Sequence, residues 1–259
     1  MRRVMDSIFA GVVFDLDGVI VDSHPLHKRA WRAFLASVGK QVSEQDLDFI
    51  FEGRRRRDIL IHFLGDLSDT EVQEYGDKKD EYFRQASSEL EPVLGTVEFI
   101  RTAKKAGLRL AVATSASRQR AQWTLQQLNI ADYFEVVVTG DDVVQSKPDP
   151  TIYRLAAERL SISPERLFAI EDSVCGVRSA KSAGLCCLGI AVGQYVPPLI
   201  QAGADRVVST LVDLSINDLE EVFGTSSPVV LPRSHGSTSP ERANGSSSKN
   251  SLPADSTNA

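Results

Sequence analysis

The chain has 259 residues, 42% hydrophobic and 25% charged, with a formal net charge of -6. A chain of this size and apolar content buries a sizeable core in one large domain or two unequal ones. Its acidic balance argues against a general nucleic-acid binder, and its longest early apolar run, residues 8–14, is far short of the ~20 residues a membrane span needs.

The basic start, Met1-Arg2-Arg3, is not followed by the apolar stretch and cleavage site of a secretory leader, so no signal peptide is expected. Residues 11–15 form the first predicted strand. From residue 23 to about 91 no strand pattern occurs; apolar residues recur at helical spacing over 27–38, 43–51, 57–63 and 70–88. Beyond this stretch, predicted helices at 97–106, 117–128, 150–160 and 174–183 alternate with β-rich runs at 109–114, 135–139, 167–171, 186–191 and 206–208. Such alternation implies βαβ units, hence an α/β fold with a parallel sheet and helices on both faces. Asp149-Pro150 and Ser163-Pro164 each read as a helix N-cap followed by proline. Residues 1–22 and 92–224 are therefore expected to form a catalytic core, and 23–91 a helical cap inserted over the sheet edge where ligands bind. Cys175, Cys186 and Cys187 are too few and too late for a disulfide framework, which suits a reducing cytoplasm. Residues 225–259 hold ten serines, no aromatic residue and one apolar patch at Val229-Val230-Leu231; a disordered tail is expected there.

Four groups of residues fall at predicted C-terminal strand ends. Asp15 and Asp17, two apart on an extended backbone, point the same way, and Gly18 permits a sharp turn. Ser115, Ala116 and Ser117 run from strand into helix, where a hydroxyl and free N–H groups can hold phosphate. Lys147, ahead of Pro148, is a fixed cation, and Glu171-Asp172 ends a further strand. Each group alone is unspecific: Asp-x-Asp is often a turn, Lys-Pro a solvated loop, Glu-Asp a helix cap. Gathered on one sheet edge, three or four carboxylates raise one another's pKa. A hard divalent cation and Lys147 relieve this, and Mg²⁺ favours a few carboxylates with phosphate oxygens. The expected chemistry is phosphoryl transfer, with Asp15 as nucleophile forming an aspartyl-phosphate and Asp17 as acid and base. Mg²⁺ would sit on Asp15, Asp172 and the Asp17 carbonyl, with Glu171 orienting Lys147 or a metal-bound water. Ser115, backbone N–H groups such as that of Ala116, and Lys147 would neutralise the phosphoryl oxygens.

These motifs, in this order, resemble the haloacid dehalogenase superfamily over residues 12–223, specifically its capped phosphatase and phosphomutase branch. The resemblance implies a Rossmann-like core, an inserted helical cap, Mg²⁺ and the roles above. Asp17 speaks against two other branches, since cation pumps carry Thr there and true dehalogenases lack that second Asp. Residues 17–23 with His27, Arg29, Ala30 and Trp31 look like the entry into the cap of β-phosphoglucomutases and related sugar phosphatases. That group's cap loop is matched by Gly53-Arg54-Arg55-Arg56, with Arg56 where a distal phosphate is contacted; Lys78 or Lys79 matches a cap lysine. After Ser117, Arg118-Gln119 replaces a Lys-Asn pair of the mutases, while residues 201–207 look more like the phosphatases. Read without the resemblance, the arginine run is a solvated helix face and Trp31 packs in the cap, while His27 either packs between cap helices or serves hinge closure and acid/base positioning beside the substrate. His24, His62 and His235 receive no role.

The expected partner is a small phosphorylated sugar or polyol, acted on by a monomer with no nucleic-acid or membrane partner. Hydrolysis comes first. The alternative is a mutase, in which Arg56, Arg118 and Lys78 hold a second phosphate. A signalling receiver domain would place its acidic pair before the acceptor Asp and carry no cap, and a silent sugar-phosphate sensor has no need of Asp17.

Overall fold

The structure, a computed structural model, describes residues 9–48, 50, 56–86, 90–212, 214–223 and 229–230. Strand β1 (Gly11–Phe14) is followed by helices α1 (His24–Ser37), α2 (Glu44–Asp48), α3 (Arg56–Leu64) and α4 (Asp69–Ala86) before α5 (Thr96–Lys105) returns to the sheet. Then come β2 (Arg109–Ala113), α6 (Arg118–Gln127), β3 (Val136–Val138), α7 (Thr151–Leu160), β4 (Leu167–Glu171), α8 (Val174–Ser182), β5 (Cys186–Ile190), α9 (Val196–Gln201), β6 (Arg206–Val208), α10 (Ile216–Phe223) and β7 (Val229–Val230). The seven strands among the described residues are parallel, in the order β3-β2-β1-β4-β5-β6-β7.

The near-continuous apolar runs of β1, β2 and β4 suit a sheet buried on both faces. Val12 and Phe14 pack on one side with Phe99, Ile100, Leu125 and Phe168. Val13, Ala111 and Ala169 face the other side, against Tyr153, Leu160 and Val177. β1 pairs with β2 on one flank and β4 on the other, so the connections diverge at its C-terminal end. Open α/β sheets place their ligand crevice at such a point.

Helices α1–α4 enclose their own apolar cluster, including Trp31, Phe34, Leu35, Leu47 and Leu60. The chain leaves and re-enters the sheet domain side by side: Val21 bridges Pro92, and Asp22 N–H donates to Glu91 O at 3.0 Å. Leu26, Ala30 and Phe83 of this helical layer pack with Trp123 of α6. No described helix is long and apolar enough to cross a membrane. No disulfide joins the three cysteines, all of which are among the described residues.

Several local expectations need correction. α1 begins three residues early, at His24, with Pro25 in its first turn. Its cap residue Ser23 makes no side-chain cap bond because its hydroxyl donates to Asp17 Oδ1 at 2.6 Å. Asp149 stands one residue outside the α7 cap and accepts from Thr151 N–H at 2.9 Å, while Ser163-Pro164 opens only a short 3₁₀ turn. Within the expected tail, Val229–Val230 pairs in parallel with Arg206 and Val207, so the tail is not without structure there; residues 225–228 and 231–259 lie outside the described residues.

Candidate active site

Asp15 follows β1, and its N–H still donates to Ile170 O at 3.0 Å, which brings its carboxylate out between the tips of β2 and β4. Lys147 Nζ, buried, donates to Asp15 Oδ1 and to Glu171 Oε1, both at 2.6 Å, and to Ala113 O at 3.1 Å. Tyr153 OH donates to Glu171 Oε1 at 2.7 Å, and Ser173 Oγ donates to Oε2 at 3.1 Å while capping α8 through Gly176 N–H. Burial alone would favour a neutral Lys147, but Asp15 and Glu171 outweigh it and hold the ammonium. Burial pushes the Asp15 carboxyl well above its usual range; Lys147 opposes this, and Glu171 and Asp172 add to it.

Carboxylate oxygens of Asp15, Glu171 and Asp172 lie within 4.8 Å of one another. Three hard oxygen donors with a lysine beside them fit a small divalent cation such as Mg²⁺. Gly18, at φ +77°, lets the loop after β1 approach this cluster: a Cβ there would lie 1.9 Å from Asp172 Oδ2. The cluster does not include the Asp17 carboxylate, which turns toward the cap. His24, given no role from sequence, places Nε2 3.2 Å from Asp172 Oδ2.

Asp17 is gripped from both layers. Arg120 of α6 donates NH1 to Oδ1 at 2.8 Å and NH2 to Oδ2 at 2.5 Å. His27 of α1 lies 3.1 Å from Oδ1 through Nε2, and Lys79 Nζ lies 3.1 Å from His27 Nδ1. An ammonium can only donate, so Nδ1 accepts and the ring proton sits on Nε2, where it donates to Asp17. The ring is therefore neutral: burial, then the Lys79 charge, bring its pKa down to about 3. Burial also pulls Lys79 down to about 8, with Asp80 opposing. For Asp17, burial favours the neutral acid, but Arg120 and His27 prevail and hold the carboxyl well below its usual range.

The pocket between sheet and cap is lined by Asp15, Thr114, Ser115, Ala116 and Lys147 toward the sheet and by Trp31, Ile50, Arg56, Ile59 and Lys79 toward the cap. Ala116 N–H donates to Thr114 Oγ1 at 3.1 Å. Ser117 Oγ caps α6 and donates to Asp80 Oδ2 at 2.9 Å, which ties the core to α4.

Two expected substrate contacts lie elsewhere. Lys78 is exposed on α4; its neighbour Lys79 shares the buried face with Gly76, Asp80 and Phe83, set by i, i+3, i+4 spacing. The Arg118 side chain, about half exposed, pairs with Asp142 at 2.7 Å outside the pocket, and Arg120 supplies the inward charge instead. Of the cap loop, Arg56 is in the pocket wall, while Gly53, Arg54 and Arg55 lie outside the described residues. Sequence reasoning missed Asp80, Arg120 and Tyr153. The helical phase of α4 was a usable signal for Asp80; nothing local marked Arg120.

An α/β enzyme with a capped pocket at the switch point of its sheet is the class this architecture defines. The model of the haloacid dehalogenase-like hydrolases matches residues 9–184, and the chain belongs to that family of enzymes. It is 37% identical over 186 residues to a phosphorylated carbohydrates phosphatase of Thermotoga maritima, covering 67% of this chain and 81% of that one. To a β-phosphoglucomutase of Bacillus subtilis it is 31% identical over 222 residues, covering 81% and 93%. The crystal structure of CbbY from Rhodobacter sphaeroides in complex with phosphate superposes with a TM-score of 0.73 at 31% identity, covering 82% of this chain and 99% of that one.

Proposed function

We propose that this protein is a Mg²⁺-dependent phosphatase of a small phosphorylated sugar or polyol, working through an aspartyl-phosphate on Asp15. The observation that carries the reading is the pocket floor, where Asp15, Glu171 and Asp172 cluster with Lys147 held against them. A relative named a phosphorylated carbohydrates phosphatase supports the substrate class.

Asp15 attacks phosphorus while Lys147 holds its Oδ1. The ester P–O bond breaks, and the departing oxygen takes a proton from Asp17. Water then cleaves the aspartyl-phosphate, returning a proton to Asp17 and releasing inorganic phosphate. The Ser115 hydroxyl faces the phosphoryl oxygens, whereas the Ala116 N–H, expected beside it, donates to Thr114 Oγ1 and must leave that bond to reach them. Asp15, Asp172 and the Asp17 carbonyl, with Glu171 beside them, would hold Mg²⁺, whose charge when bound lets an ionised Asp15 meet an anionic phosphoryl group. In the resting arrangement the Asp17 carboxylate is paired with Arg120, so its acid step requires that pair to open.

Mutase activity is the second reading, favoured by Arg56 in the pocket wall and by the β-phosphoglucomutase relative. Phosphorus NMR separates the two, using the protein with Mg²⁺, β-glucose 1-phosphate and a trace of glucose 1,6-bisphosphate. Accumulating inorganic phosphate, stopped by a chelator, is the expected result; glucose 6-phosphate growing without free phosphate would establish the mutase.

A further inference from the structure

We infer that Asp80 sets the substrate class of this pocket: it admits a monophosphate whose remainder is an uncharged polyhydroxyl chain and rejects one carrying a second phosphate. This deepens, and rests on, the phosphatase reading above. Asp80 lines the pocket from α4 and is only 2% exposed. A carboxylate so buried is costly unless paired, and here the pairing is built. Arg56 NH1 donates to Asp80 Oδ2 at 3.1 Å, Ser117 Oγ donates to the same oxygen at 2.9 Å, and Lys79 Nζ lies 3.5 Å from Oδ1. Burial favours the neutral acid, but Lys79, Arg120 and Arg56 outweigh it and keep Asp80 ionised.

The packing fixes the same pair. Gly76, one turn before Asp80 on α4, leaves room for the Arg56 guanidinium: a Cβ on Gly76 would lie 2.4 Å from Arg56 Nε. A second inward arginine among the described residues, Arg120, is bound through two nitrogens to Asp17. Among the described residues, the cap cations Arg56 and Lys79 and the sheet-side Arg120 thus each have a carboxylate of this chain at hand. A second phosphate would bring negative charge against Asp80 and find Arg56 already taken. A hydroxyl donates to Asp80 and leaves every ion pair in place. Discrimination then comes from a repulsive element as well as an attractive one.

The test compares kcat/KM for fructose 1-phosphate and fructose 1,6-bisphosphate at fixed Mg²⁺. The wild-type enzyme is expected to favour the monophosphate at least tenfold. Asp80→Asn keeps the shape and the acceptor for Ser117 but removes the charge, so the ratio is expected to fall at least tenfold. A wild-type preference for the bisphosphate, or a folded Asp80→Asn protein with an unchanged ratio, overturns the inference. The wild-type comparison stands even if the variant does not fold. Acetyl phosphate, which has no distal group, tests the Asp15 chemistry separately. If the wild-type protein turns over none of the three compounds, the phosphatase reading fails. Calorimetric dissociation constants of the two sugars then decide on Asp80, and tighter binding of the bisphosphate counts against it.

Discussion

Glu171 is fully buried, and both of its oxygens are engaged: Oε1 by Lys147 and Tyr153, Oε2 by Ser173. It acts on Asp15 through Lys147, so its position matters more than its mere presence. Gly176 guards that position, since a Cβ there would fall 1.9 Å from the Glu171 carboxyl carbon. Gly176→Ala is expected to push Glu171 aside, loosen Lys147 and lower kcat by on the order of 10²-fold, as ångström-scale misplacement does. Steady-state kinetics alongside a melting curve checks this; a folded variant with near-normal kcat would remove Glu171 from the positioning chain. Asp15→Asn removes the nucleophile itself, and turnover is expected to fall by on the order of 10⁴-fold or more. Persistent phosphate release by that variant, followed by a coupled colour assay, would sink the aspartyl-phosphate mechanism.

Elements position these residues by turning one face inward. On α4 the inward face carries Gly76, Lys79, Asp80 and Phe83, so one helix delivers both a packing ring and a buried carboxylate on the cap side of the pocket. On α1, His27 faces Asp17 and Ala30 packs toward Trp123 of α6, while Trp31, Phe34 and Leu35 pack the cap interior. Phe34 is completely buried and meets Trp31 and Tyr75 at ring-centroid distances of 5.8 and 5.9 Å. Phe34→Ala is expected to cost ~3–5 kcal/mol through lost transfer energy and the cavity left behind. Urea unfolding measures it; a loss below ~1 kcal/mol would mean the cap cluster is not closely packed around this ring.

At the scale of the whole molecule, cap and sheet meet through a polar chain that runs from Asp17 to His27, Lys79, Asp80 and Ser117. Burying a neutral His27 in that chain has a consequence for stability. In the unfolded protein the ring titrates near 6.5, whereas in the folded one it titrates at about 3. Below pH 6.5 the unfolded chain therefore takes up a proton that the folded chain refuses, and stability falls as the pH drops. The His27 contribution has a slope of up to roughly 1.4 kcal/mol per pH unit. Asp17 adds a loss in the same direction only below about its ordinary pKa of 3.8. His24 works in the opposite sense: burial disfavours its charge, but Asp172 raises its pKa, so its contribution is lost as pH rises. The comparison is therefore between proteins: His27→Asn should show a flatter fall in thermal midpoint from pH 6.5 to 4.5 than wild type. Parallel curves would show that His27 is not held neutral.

Legibility in the sequence followed the range of the interactions. The alternation of strands and helices, the helical insert and the acidic and basic strand ends were readable because strand and helix periodicities are local, and because a parallel sheet brings its C-terminal tips to one edge whatever the loops do. That was enough to bring Asp15, Lys147, Glu171 and Asp172 to one edge. Only the tertiary structure decided which of several adjacent cations faces inward: Lys79 rather than Lys78, and Arg120 rather than Arg118. The choice depends on the rotation of α4 and α6 about their axes, which is set by packing against other elements. It also alone revealed the partners of Asp17 and Asp80, because Arg120 lies 103 residues from Asp17 and Ser117 lies 37 from Asp80. No local pattern encodes a pairing of that range; it exists only once sheet and cap have packed together.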